Sequence, residues 1–142
     1  MRWILAGFAL LIGALFTGLD CSDCKDSEDV GVRLVWCDSL TLPAAINSGD
    51  TLRIGYFGWV PEASYSPTLS HIEVVREVDS LALRIWAHAR RWLGECGTVQ
   101  PPSADWVEGE HVEPPPWPGD SILVRLHRPG AQPLDRWVQV LH

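Results

Sequence analysis

The chain is short of positive charge. It has 11 Lys and Arg against 18 Asp and Glu, a formal net charge of −7, and Lys25 is its single lysine. The one adjacent basic pair is Arg90-Arg91. A nucleic-acid binder needs a basic patch or stripe, and the overall field here repels phosphates. Nucleic acid is therefore not expected as a partner. Motifs that carry chemistry are equally scarce. The five histidines, at 71, 88, 111, 127 and 142, form no His-x-His or His-x-x-x-His pair, so their spacing offers no metal cage. There is no EF-hand, no Gly-rich phosphate loop and no Gly-x-Ser-x-Gly elbow. No cofactor is expected. No internal repeat is visible, which excludes a solenoid or propeller.

Two short stretches invite a chemical reading. "GDSI" at 119–122 invites comparison with the Gly-Asp-Ser-Leu esterases, but Ser121 comes late in the chain and opens a strand. Asp135 and His142 are also too far apart for the closing Asp-x-x-His of those enzymes. The stretch reads as a turn. "EGEHVE" at 108–113 gathers Glu108, Glu110, His111 and Glu113. It reads as a solvated segment, with a weak calcium or zinc contact as the sharper alternative.

What is present begins with an apolar start. Arg2 is followed by an uncharged run from Trp3 to Leu19. A basic start, an apolar middle and a polar sequel match an export signal. A buried soluble helix would be apolar on every face, which disfavours it. Three outcomes stay open: a cleaved signal peptide, lipidation of Cys21 in the degenerate box "FTGLDC", or an uncleaved anchor over 1–19. Each exports the remainder to the cell envelope. Residues 20–29, "DCSDCKDSED", read as an acidic tether. The Cys21-x-x-Cys24 spacing admits a thiol oxidoreductase. The neighbouring Asp20, Asp23 and Asp26 oppose it, because negative charge raises a thiol pKa.

Residues 30–142 read as one domain of short alternating runs. "VGVRLVW" sets Val30, Val32, Leu34 and Trp36 on one face, and "TLRIGYFG" does the same for Leu52, Ile54 and Tyr56. "HIEVVREV" alternates around Ile72 and Val74. "SILVRLH" aligns Ile122, Val124 and Leu126. "RWVQVLH" opposes Trp137, Gln139 and Leu141 to Val138 and Val140. The prolines between 101 and 118 leave room for one short edge strand from Trp106 to Val112. "DSLALRIWAHARRWLGECG" supports two readings. One is a helix over 80–93, which would make the fold α+β. The other is a strand that forms a hairpin with "EVVREV" across a two-residue Asp79-Ser80 loop. The all-strand neighbours favour the strand.

About seven strands with regular turns suggest an antiparallel immunoglobulin-like β-sandwich. "LPAAINSGDTLRIGYFGWVP" resembles the opening of bacterial exported immunoglobulin-like domains, and "PPPWPGDSILVRLHRPGAQPLDRWVQVL" resembles their ending. The resemblance implies a non-catalytic envelope lipoprotein or surface binding module.

Four cysteines, Cys21, Cys24, Cys37 and Cys96, allow three pairings. Export favours disulfides. With Cys21 and Cys24 in the tether, a Cys37–Cys96 bond is expected; the alternative leaves both as free thiols. Eight tryptophans suit core packing, and Trp106 and Trp117, in the Pro-rich region, are the candidates for an exposed platform. The sequence thus points to a non-enzymatic exported domain that binds a protein or glycan or has a structural role, attached to the membrane if its N-terminal segment is retained or lipidated.

Overall fold

The computed structural model describes residues 24–61, 65–99 and 105–142. These are all-β. Nine strands follow in order: β1 (Ser27–Leu34), β2 (Trp36–Thr41), β3 (Ala45–Asn47), β4 (Leu52–Trp59), β5 (Tyr65–Arg76), β6 (Ser80–Trp92), β7 (Trp106–Glu113), β8 (Ser121–Arg128) and β9 (Ala131–Leu141). They form two sheets, and the larger is mixed rather than antiparallel as expected, because β6 pairs parallel with β8 and β3 parallel with β9. The larger runs β1-β6-β8-β9-β3 with β5 on the free side of β6, and the smaller runs β2-β4-β7. The expected signal or anchor over 1–19 and the lipidation candidate Cys21 lie outside the described residues.

The two sheets face each other across one apolar core. Leu81, Leu83, Ile85, Ala87 and Ala89 of β6 bury every second side chain of that strand. Ile122, Val124 and Leu126 of β8 and Val138 and Val140 of β9 extend the layer. From the small sheet come Cys37, Leu52, Ile54, Tyr56 and Val107. This period of two follows from the pleat, which points successive side chains to opposite faces.

β6 answers the 80–93 question in favour of the strand. It pairs antiparallel with β5 along its length, antiparallel with β1 at its C-terminal half and parallel with β8 over Ser80–Leu83. A strand held on both sides satisfies its backbone in the sheet, and burial of its inner face outweighs a local helical stripe. The hairpin turn is one residue earlier than expected. Arg76 pairs with Leu81 and the Glu77 amide donates to the Ser80 carbonyl, leaving Val78-Asp79 at the tip. Moving the tip by one residue shifts the pairing by two, so each side chain keeps its face.

The first segment departs further from the sequence pattern. Strand structure starts at Ser27, so residues 27–29 of the expected tether belong to the large sheet. The chain then changes sheets at Val35. That residue is fully buried, and its amide donates to the Ile85 carbonyl. A register shift between Asp29 and Gly31 and another between Cys37 and Ser39 break the simple alternation. Val32 is consequently exposed while Val35 and Cys37 enter the core. This division, together with the short β3, gives nine strands where about seven were expected.

The disulfide differs too. Cys24 is bonded to Cys96, and Cys37 is a buried free thiol. The expected Cys37–Cys96 pairing is therefore corrected. Cys37 points into the core beneath the small sheet. Cys96 lies just beyond the end of β6, where β1 begins. The backbone joins the same two segments: the Leu93 and Gly94 amides donate to the Asp26 carbonyl, and the Cys96 amide donates to the Asp26 carboxylate. From Cys24 on, the supposed tether is thus fastened to the domain, which brings Cys24 within reach.

Candidate binding surface

The outer face of the small sheet is built from one cross-strand row. In register, Trp36 of β2 pairs with Trp59 of β4, and Trp59 pairs with Trp106 of β7. Residues directly opposite on one face of a sheet lie close enough for their side chains to touch. The Trp36 and Trp59 rings stack at 6.1 Å between centroids with planes 22° apart. Phe57 lies two residues before Trp59 on the same face, 6.4 Å from the Trp106 ring. Trp59 is 40% exposed, Trp106 48% and Phe57 37%, so the row stands in solvent rather than in the core.

The local backbone is shaped to carry these rings. Gly58 faces inward opposite Cys37, and a side-chain carbon there would meet the Trp36 carbonyl and the Cys37 Cα at 2.7 Å. Glycine lets β2 and β4 approach at the bulge. Gly109 of β7 is paired with Tyr56, and the Tyr56 ring covers the space that a larger residue would fill. Beneath the row, Cys37 has its thiol pKa pushed up to about 12, by burial first and by the neighbouring Asp38 second. Burial also raises the Tyr56 phenol. Neither group ionises at neutral pH, so the layer under the row is a dry, uncharged support.

Polar groups flank the rings. Along one strand-crossing line stand Ser39, Phe57 and Glu108, with Asp38 in the adjacent bulge. The next outward line holds Thr41, Gly55 and Glu110, and beyond it Arg53 meets Glu110 at 2.5 Å. The Arg128 guanidinium sits 5.3 Å from the Trp36 ring centroid and donates from Nε to the Gln132 carbonyl.

Of the two tryptophans singled out from sequence, the structure places Trp106 in this row and Trp117 elsewhere. Trp117 is 3% exposed. Its indole N–H donates to the Asp50 carbonyl at 2.8 Å, and its backbone N–H donates to the Ser48 carbonyl. Arg76 lies 4.1 Å over its ring and donates to the carbonyls of Pro114 and Pro116. Trp117 is a plug that closes the end of the sandwich, not an exposed platform residue. Trp36, Trp59 and Phe57 escaped the sequence reading. The available signal was the alternation of β4: once Leu52, Ile54 and Tyr56 point inward, Phe57 and Trp59 must point to solvent.

The "EGEHVE" segment is strand β7, with the His111 ring 2.8 Å from Glu113. Among the described residues no group of three His, Cys, Asp or Glu could hold a metal ion. Comparison with known proteins finds no matching family model, no matching curated protein and no matching solved structure.

Proposed function

We propose that the chain is a non-enzymatic exported domain of the bacterial cell envelope that binds a protein or glycan partner through the outer face of its small sheet. The observation that carries this reading is the row Trp36-Trp59-Trp106, half-buried at Trp36 and exposed at Trp59 and Trp106, with exposed Phe57 beside it. Tryptophan is costly to leave in water and is enriched at the centre of binding surfaces. Export is supported by the uncharged Trp3–Leu19 run after Arg2 and by the Cys24–Cys96 disulfide, a bond that an oxidising compartment preserves. Membrane attachment runs through the N-terminal segment, as a retained anchor or through a lipid on Cys21. Two packed sheets over one core support the immunoglobulin-like kinship suggested by "LPAAINSGDTLRIGYFGWVP". The bonding of Cys24 to Cys96 favours this reading over a Cys21/Cys24 oxidoreductase.

The test follows tryptophan fluorescence of the full chain titrated with soluble glycans and peptides. A saturable change that disappears in Trp59→Ala and Trp106→Ala, with circular dichroism unaltered, supports the surface. A saturable change that survives both substitutions places binding elsewhere. A reporter active only outside the cytoplasm, fused after residue 30, tests export; a silent but well-expressed fusion refutes it.

A further inference from the structure

We propose that the partner received by this face is a basic polypeptide segment, with an Arg or Lys side chain over Phe57 between Asp38 and Glu108 and against the neighbouring Trp59. The inference rests on the aromatic face being the binding surface. It adds the chemistry of the occupant, and charge complementarity carries it.

The two sheets handle their carboxylates differently. On the large sheet every strand-borne carboxylate has a cationic or ring-nitrogen partner. Glu28 meets Arg91, Asp29 meets His88, Glu73 meets Arg84, and Asp135 holds Arg125 through two hydrogen bonds. On the small sheet Glu110 meets Arg53, and Glu113 meets Arg76 and His111. Asp38 and Glu108 remain, and among the described residues neither has such a partner. Both flank Phe57, on β2 and β7 respectively, with β4 between them. Adjacent strands lie about 4.8 Å apart, so the two carboxylates stand on the order of 10 Å from each other. That gap admits one long cationic side chain above the central aromatic ring.

The rings themselves favour cations. The face of an indole attracts a guanidinium or ammonium group. The protein already uses this contact twice, with Arg128 at Trp36 and Arg76 at Trp117. The Phe57 ring lies between Asp38 and Glu108, with the Trp59 ring on the adjacent line, so a cation over Phe57 would also gain two ion pairs. A second copy of the chain fits poorly, because it would bring a net charge of −7 and the same two carboxylates against themselves. A neutral glycan would leave both carboxylates without a counter-charge.

The experiment is isothermal titration calorimetry of the full-length protein with a synthetic Arg/Lys-Gly peptide, an acidic peptide of equal length and a neutral gluco-oligosaccharide. The variants are Asp38→Asn with Glu108→Gln, Trp59→Ala, Trp106→Ala, and a control that removes two charges at the β5–β6 turn, Glu77→Gln with Asp79→Asn. The expected result is binding of the basic peptide alone. It should weaken roughly five- to tenfold in the Asp38/Glu108 double variant, the size of two exposed ion pairs. In the turn control it should weaken less than about twofold, and in Trp59→Ala about tenfold. Absence of basic-peptide binding overturns the inference. So does equal weakening in the two charge variants, which would mean attraction by net charge alone. If the oligosaccharide or a second copy of the chain occupies the face with sensitivity to Trp59→Ala, the inference falls and the binding-surface reading stands. If the basic peptide binds and neither tryptophan substitution matters, the reading itself falls.

Discussion

Cys37 is a thiol that the fold keeps from reacting. It is fully buried, and burial pushes its pKa up to about 12, so almost no thiolate exists at neutral pH. The expected outcome is no alkylation of Cys37 by iodoacetamide at pH 8 in the native protein and full alkylation in denaturant, read by mass spectrometry. Rapid native labelling would mean that the small sheet opens. Cys37→Ser should cost about 1–3 kcal/mol, because a buried hydroxyl without a partner loses its hydration. The two glycines under the aromatic row should differ in tolerance. At Gly58 an added methyl meets the backbone of Trp36 and Cys37, which cannot move without breaking the β2–β4 ladder. At Gly109 it meets the Tyr56 side chain, which can shift. Gly58→Ala is therefore expected to destabilise by about 3 kcal/mol and Gly109→Ala by about 1–2 kcal/mol, within the range for overpacking, as read by urea denaturation. The reverse order would show that the bulge yields more easily than the ring.

At the scale of elements, the first strand and its disulfide form one unit. β1 covers the C-terminal half of β6, and Cys24 ties the start of the segment to Cys96 across a sequence separation of 72. In the chain-entropy model a loop of that length contributes about 4 kcal/mol. A chain beginning at residue 30 lacks Cys24 and the first three residues of β1, Ser27 to Asp29. Its melting temperature should fall well below that of a chain beginning at residue 24, and Cys24→Ser with Cys96→Ser should reproduce most of the loss. An unchanged melting temperature would mean that β1 is an ornament on the sheet.

The same elements mark what the sequence could tell. Strands β4, β8 and β9 are legible because each has one wet and one dry face, and their alternation survives in the fold, while β7 is legible from the prolines that bound it. β6 was ambiguous because Ala and Leu serve helix and strand alike, and only its neighbours on both sides decide. β1 and β2 were merged because a sheet change at Val35 and two register shifts leave no local mark in a run of apolar residues. The disulfide was misassigned for the same reason. Once 20–29 is read as a tether, Cys24 cannot reach Cys96, and the backbone bonds of Asp26 that deliver it are invisible in sequence. Of the candidate surface, Trp106 was legible from its Pro-rich context and Trp117 was misplaced by it. Phe57 and Trp59 follow from the alternation of β4, whereas Trp36 depends on the sheet change at Val35 and on the β2–β4 register, which short patterns do not specify.

For the whole molecule, the outer face of the large sheet predicts how stability responds to acid. Asp29 has its pKa lowered mainly by the Gly31 backbone N–H, and Asp135 mainly by hydrogen bonds from Arg125. A depressed carboxyl stabilises the fold above the ordinary value of 3.8, and the gain is lost as pH falls below it through the folded pKa. His127 titrates in a higher window. Its pKa is lowered from 6.5 by burial and then by Arg84 and Arg125, against a smaller opposing effect of Asp135. Between 6.5 and the lowered value the unfolded chain takes up a proton at this site that the folded chain refuses. Stability should therefore fall as pH drops through that window, because the unfolded state binds more protons. The melting temperature of the full chain, followed by far-UV circular dichroism from pH 7.5 to 3, should decline in two stages, one beginning near 6.5 and one below 3.8. His127→Gln should flatten the difference attributable to the first stage and leave the second, while Asp135→Asn should do the opposite. If His127→Gln leaves the upper stage untouched, the cationic surroundings of His127 have no bearing on the acid stability of the fold.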